Sequence, residues 1–149
     1  MKIINKRARF NYKLFDKYEA GISLNGGEVK SIRRGNTNLS QSYAKIIDDE
    51  IYLINTNIPV EGKKDYSPTR SRKLLLHRNQ IISIKSKIKA KKLTLVPVSV
   101  YTKGRLIKAE IALAKSKRRF EKKEAIKRKD IEREIERELR GDKDNESRI

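Results

Sequence analysis

The sequence contains no cysteine and no tryptophan, and its only histidine is His77. Without cysteine there are no disulfides, no thiolate zinc sites and no cysteine nucleophile. With one histidine, a Ser-His-Asp triad or a histidine-rich metal centre lacks its members, and no paired carboxylate stands near His77 in the chain. Gly-rich phosphate loops are missing, because Gly26-Gly27 and Gly104 are isolated turn signals. Apolar runs are too short to span a bilayer, and none follows the basic start Met1–Arg7 as a secretory signal would. These absences point away from an enzyme, a metal or cofactor protein and a membrane-spanning protein. A cytoplasmic location fits them.

Negative charge is also scarce. The 149 residues carry 38 Lys+Arg against 19 Asp+Glu, a formal net charge of +19. Such an excess predicts a polyanionic partner, with nucleic acid first and an anionic membrane surface second. The charge is unevenly placed: +15 over residues 1–114, +7 over residues 115–129 and −3 over residues 130–149. The composition shifts near Ala114 from β-branched and aromatic runs with turns to Lys, Arg and Glu. Two parts are expected, a basic globular body over 1–114 and a charged C-terminal tail over 115–149.

Hydrophobic periodicity in the body predicts a mainly β fold with flanking helices. Phe10–Phe15 and Tyr18–Leu24 read as two strands around an Asp16-Lys17 turn. Asn25 is placed to cap a short helix in which Val29 and Ile32 share a face and Lys30 and Arg33 crowd the other, with Gly35 ending it. Tyr43–Ile47 and Ile51–Ile54 flank Asp48-Asp49-Glu50 as a hairpin. Residues 59–72, with Pro59, Gly62 and Pro68, read as a long basic loop. Ile81, Ile84 and Ile88 recur at helical spacing and predict a helix from Arg78 to Ala90. Leu93–Tyr101 and Leu106–Ala114 make a last hairpin, with Ile107, Ala109, Ile111 and Leu113 inward and Lys108 and Glu110 outward. Pro97 marks an edge or a bulge. Six short strands with one or two helices suggest a small closed or partly closed barrel.

Four segments add a more specific signal. They are Asn5-Lys6-Arg7-Ala8-Arg9; Tyr18-Glu19-Ala20-Gly21-Ile22, continuing to Gly27-Glu28-Val29-Lys30-Ser31-Ile32-Arg33; Asn38-Leu39-Ser40-Gln41-Ser42-Tyr43-Ala44; and Pro68-Thr69-Arg70-Ser71-Arg72-Lys73-Leu74-Leu75-Leu76-His77. In this order and at these separations they resemble the SsrA-binding protein (SmpB) family, the partner of transfer-messenger RNA in bacterial ribosome rescue. The resemblance runs from Asn5 to about Lys129. It implies an oligonucleotide-binding-type β-barrel with flanking helices. It also implies binding to the transfer-RNA-like domain of transfer-messenger RNA, where the protein stands in for the anticodon arm. A tail that enters the decoding site and the empty messenger channel of a stalled ribosome, folding there as a helix, is implied as well.

Residues expected on transfer-messenger RNA, from the resemblance and the residue reading together, are Asn5, Arg7, Arg9, Glu19, Lys30, Arg33, Arg72, Lys73, Leu75 and His77. Arg7 and Arg9 suit phosphates, and Asn5 suits a base or sugar edge. Glu19 weakens phosphate binding in so basic a body, so its role must be local: accepting hydrogen bonds from base amino groups or orienting a neighbouring cation. The bland alternative is an exposed strand Glu, or a pair with Lys30 or Arg33. Leu74 and Leu76 read as core, while Leu75 alternates outward and can pack on an unstacked base beside His77. Tyr43, Tyr66 and Tyr101 are stacking candidates that are more often half-buried sheet residues.

Toward ribosomal RNA the candidates are Lys115, Lys117, Arg118, Arg119, Phe120, Glu121, Lys122, Lys123, Lys127 and Arg128. Nine positive charges over residues 115–129 exceed what a linker needs. The chain departs from the family pattern at Phe10 and Phe120, where many members carry His, and at Lys123, where Arg is usual. Ile131, Ile135 and Leu139 form a stripe too narrow to fold alone in water, so disorder when free and helix when bound are expected.

The leading expectation is a monomeric, non-catalytic RNA adaptor for trans-translation, meeting small-subunit ribosomal RNA through its tail and elongation factor Tu through the shared RNA. A structural ribosomal RNA-binding protein, a nuclease or RNA-modifying enzyme, and a peripheral membrane binder are the competing classes. The missing acidic cluster opposes the enzyme, and the missing aromatic-rich apolar face opposes the membrane binder.

Overall fold

The computed structural model describes residues 1–117 and Arg133. The chain divides into two units, Met1–Ser116 and Lys117–Ile149. The first contains seven strands and three helices in the order β1 (Lys2–Ile4), α1 (Lys6–Asn11), β2 (Tyr12–Ile22), α2 (Gly26–Arg33), β3 (Tyr43–Ile47), β4 (Glu50–Ile54), β5 (Arg72–Leu75), α3 (Arg78–Lys91), β6 (Thr94–Lys103) and β7 (Leu106–Ser116).

The antiparallel sheet runs β1-β6-β3-β4-β5-β2-β7, and β7 returns to β6. Six strands therefore close a ring, as the barrel expectation required, and closure satisfies the open edges that a flat sheet would present. On the edge of β6 away from β7, β3 bonds near the start (Ala44 opposite Leu95), while β1 takes the far end (Lys2 opposite Tyr101). Inward residues alternate with outward ones. Ile51, Leu53, Leu74, Ala109, Ile111 and Leu113 fill the ring, and Ile81 and Ile84 of α3 join the same core.

Two hairpins follow their turn chemistry. Asp48 and Asp49 both have positive φ (49° and 62°) between Ile47 and Glu50, the requirement of a type I′ turn. Gly104, at φ 60°, holds the first central position between Lys103 and Leu106, where a type II′ turn needs glycine.

Three expectations change. Phe10 and Asn11 end helix α1 rather than opening a strand. The Asp16-Lys17 turn is instead a bulge inside one continuous β2. Leu14 pairs with Ala114 and Lys17 with Ala112, so three steps on β2 face two on β7. The polar pair that reads as a turn is the bulge's exposed tip, and Lys87 of α3 holds Asp16 at 2.7 Å. The third change is two unexpected strands: the merger leaves five of the expected six, and β1, three residues too short to carry a pattern, and β5, which opens at Arg72 where the long loop was expected to end, bring the total to seven. Pro97 does sit at a bulge, where the β6 register shifts between Pro97 and Ser99.

Candidate RNA interface

The β2 segment Tyr18–Ile22 lies between β5 and β7. Glu19 and Gly21, two residues apart, share its outer face, and Gly21 pairs with Leu75. A Cβ on Gly21 would meet the Leu75 Cβ at 3.3 Å and its Cδ1 at 3.5 Å. The leucine thus lies across the glycine, beside Glu19, and remains 53% exposed. Arg72 and Leu74 point inward from β5 and are fully buried, while Lys73 and Leu75 point outward.

Glu19 is held across β7, by side chains of β6. Tyr101 Oη donates to its Oε2, and Lys103 Nζ donates to its Oε1 at 3.1 Å. The Tyr101 hydrogen bond, then that of Lys103, keeps the carboxyl below its ordinary range. Burial and the facing carboxylate push the Tyr101 phenol up to about 12. Lys2 Nζ stands 6.0 Å above the same ring. Glu19 is therefore a fixed carboxylate with one donor on each oxygen. Each oxygen keeps a free lone pair that can accept from a base amino group. Its partners are Tyr101 and Lys103, not Lys30 or Arg33. Arg33 instead donates from Nη2 to the Arg105 carbonyl at 3.1 Å, tying α2 to the β6–β7 turn.

His77 is exposed and is the N-cap residue of α3, its backbone N–H donating to Gln80 Oε1 at 3.1 Å. Lys73 is half-exposed and sits 3.5 Å from Glu50. Glu19, Lys73, Leu75 and His77 thus come together on one outward surface, with Tyr101 and Lys103 added. Lys30 is exposed on α2.

Two expected contacts are corrected. Arg72 is wholly buried, and all five of its N–H donors are used inside the protein. Nε donates to Glu28 Oε2 at 2.6 Å, Nη1 to the carbonyls of Thr56 and Arg70, and Nη2 to Tyr66 Oη and the Pro68 carbonyl. It has nothing left for RNA. Asn5 is 4% exposed: its Oδ1 accepts from Ala8 N–H at 3.1 Å, capping α1, and its Nδ2 donates to the Pro97 carbonyl at 3.0 Å. It builds the junction of α1 with the β6 bulge. Arg7 and Arg9 are exposed on α1, away from the Glu19 surface.

The sequence reading missed the group that organises the long loop. Glu28, fully buried on α2, receives Arg70, Arg72, Tyr66 Oη at 2.8 Å and the Asn25 N–H at 3.0 Å. Burial pushes its carboxyl up, but these hydrogen bonds win and hold it at about 2. Asn25-x-x-Glu28 is a capping-box spacing, which was visible; its second duty toward Arg70 and Arg72 was not.

Of the tail candidates, Lys115 belongs to β7, opposite Lys13, and Lys117 follows the strand. Arg118, Arg119, Phe120, Glu121, Lys122, Lys123, Lys127 and Arg128 lie outside the described residues, as does the expected tail helix. Among the described residues no cluster of His, Cys, Asp and Glu is arranged to hold a metal ion, and no helix is long and apolar enough to cross a membrane.

Comparison with known proteins agrees with this architecture. The family model described as SmpB protein matches residues 2–141. An SsrA-binding protein of Sulfurihydrogenibium sp. (strain YO3AOP1) is 49% identical over 140 residues, covering 92% of both chains. One from Persephonella marina is 45% identical, also covering 92% of each. A solved structure described as "tmRNA-SmpB: a journey to the center of the bacterial ribosome" matches with a TM-score of 0.65 and 41% identity, covering 84% of this chain and 94% of that one. With closed barrel, ordered motifs and near-full-length relatives in agreement, the chain belongs to the SmpB family of SsrA-binding proteins.

Proposed function

We propose that this protein binds transfer-messenger RNA and brings it to stalled ribosomes for trans-translation, acting as an adaptor and not as an enzyme. The observation that carries the reading is the outward surface of Glu19, Leu75 and His77. A basic body needs no oriented carboxylate and no exposed leucine to attract phosphate. An unstacked base with an amino group can use both, the carboxylate as acceptor and the leucine as an apolar face. Arg7, Arg9, Lys30, Arg33 and Lys73 supply phosphate contacts that set orientation without reading sequence. The names of the relatives and of the solved structure support the choice of RNA.

In this reading the body takes the place of the anticodon arm on the transfer-RNA-like domain. The tail from Lys117 onward, with Arg118, Arg119, Phe120, Lys122 and Lys123, enters the decoding site and empty messenger channel. The protein works as a monomer and meets elongation factor Tu through the shared RNA. Gel-shift binding to transfer-messenger RNA at physiological salt, with excess transfer RNA as competitor, tests it. Binding that survives the competitor is expected; its abolition defeats the adaptor reading.

A further inference from the structure

At the other end of β2 lies a second cleft, of about 240 Å³, between α1 and the 38–43 loop. Tyr12, on its wall, is seven residues from Glu19. At about 3.3 Å per residue the two ends of the strand stand roughly 23 Å apart. One nucleotide cannot occupy both.

The cleft is preformed. Its floor is the buried Asn5, whose amide is held by Ala8 N–H and the Pro97 carbonyl. Its loop is fixed by Asn38 Oδ1 accepting from Ser40 N–H at 2.8 Å, by Ser42 N–H donating to the Leu39 carbonyl at 2.9 Å, and by Ser42 and Thr56 hydroxyls 2.9 Å apart. Other side chains that line the cleft are uncommitted among the described residues. Arg7, Asn11, Gln41 and Tyr43 line it and make no side-chain hydrogen bond among the described residues. Tyr43 is 43% exposed, and among the described residues no carboxylate lines the space. The volume falls below the roughly 300–1,000 Å³ of cofactor and drug-sized pockets. The set is two tyrosines, of which Tyr43 is the exposed one, with two side-chain amides and one guanidinium.

Resting on the RNA-binding reading above, we propose that this cleft takes a single unstacked adenosine of an RNA chain. The base stacks on Tyr43, Asn11 and Gln41 read its edge, and Arg7 meets its phosphate. An aromatic face supplies sequence-tolerant stacking. Asn and Gln amides match the donor and acceptor pair that adenine offers at N6 and N7. The same chemistry serves an extrahelical adenosine in transfer-messenger RNA or in ribosomal RNA.

The test uses the full chain and three labelled RNA hairpins: one with a single bulged adenosine, one with a bulged uridine in its place, one fully paired. The expected result is about tenfold tighter binding of the bulged adenosine than of the paired hairpin. Tyr43→Ala removes that margin and Tyr43→Phe restores it. The double variant Asn11→Ala/Gln41→Ala keeps the preference for a bulge but no longer separates adenosine from uridine. Equal binding of bulged and paired hairpins by the parent, or an unchanged margin in a Tyr43→Ala protein with parental thermal melting, overturns the proposal. Selective binding of transfer-messenger RNA without a bulge preference overturns it alone. A bulge preference in a protein that transfer RNA strips from transfer-messenger RNA overturns the adaptor reading alone. Replacing the hairpins by fragments of each parent RNA that carry an unpaired adenosine assigns the source.

Discussion

Leu75 lies across Gly21, with only 3.3 Å between the leucine Cβ and the position a Cβ on the glycine would take. The glycine thereby lets an apolar side chain lie flat beside Glu19 instead of standing away from the strand. Gly21→Ala forces Leu75 to give by a few tenths of an ångström, and being half-exposed it can. The expected outcome is a stability change within about 1 kcal/mol and a measurable loss of affinity for transfer-messenger RNA. Leu75→Ala removes the side chain altogether. A half-exposed leucine has roughly 1 kcal/mol of burial still to gain, so binding weakens about fivefold. Fluorescence anisotropy titrations beside thermal melts separate the two effects. Parental affinity in Leu75→Ala would remove Leu75 from the interface.

Glu28 carries the opposite kind of prediction, on stability. It is the only carboxylate in contact with the buried Arg72 guanidinium among the described residues. Glu28→Gln keeps the shape but leaves Arg72 as an uncompensated buried charge, at a cost of about 3–5 kcal/mol. For a body of this size that lowers the melting temperature by roughly 10–20 °C. The pH dependence follows from the same group. Its folded value of about 2 lies below the ordinary 4.5. The stabilisation is therefore complete above pH 4.5 and is lost as pH falls from 4.5 toward 2. It amounts to an order of 3 kcal/mol. Urea denaturation across that window should show a steep acid limb in the parent and a flatter one in Glu28→Gln.

Much of this architecture was legible because local signals and tertiary demands coincide. Ile107, Ala109 and Ile111 alternate because one face of β7 is interior, and Ile81 and Ile84 recur because one face of α3 is. Legibility failed where a residue's role is set by a partner far along the chain. Asp16-Lys17 looks like a turn because both are polar; it is a bulge because β7 pairs with both halves of β2. Arg72 looks like one more cation in a basic loop. Its burial depends on Glu28, which is forty-four positions earlier. Asn5 looks like an exposed polar residue in a basic start, but the bulge carbonyl of Pro97 gives its amide a buried partner. In the interface, alternation alone placed Leu75 outward, whereas the bonding of Glu19 to Tyr101 and Lys103 needed the β-strand register.

Glu19 separates specificity from charge attraction. Its oxygens are fixed by Tyr101 and Lys103, and it neutralises no phosphate. Glu19→Ala is expected to melt close to the parent and to bind transfer-messenger RNA more weakly, with an unchanged slope of log affinity against log salt. Lys73→Ala, by contrast, should lower the slope magnitude by about 0.7–0.9. A Glu19→Ala protein whose salt slope changes, or whose affinity rises, would show that the carboxylate acts on phosphates by repulsion.

The division of labour between body and tail depends on where the body is cut. Ser116 pairs with Tyr12 and Lys115 with Lys13, so the last two residues of β7 still close the sheet against β2. A chain ending after Ala114 loses both pairings at the strand that enters from α1. A chain ending after Lys117 keeps them. The longer truncation is expected to retain the parental melting temperature and its affinity for transfer-messenger RNA, and to lose the tagging of incomplete proteins on stalled ribosomes. The shorter one should melt lower while failing in the same way. Comparing both by thermal melting, gel shift and a tagging assay distinguishes a damaged body from a missing tail. Tagging at the parental level by the chain ending at Lys117 would mean that the body alone completes the reaction.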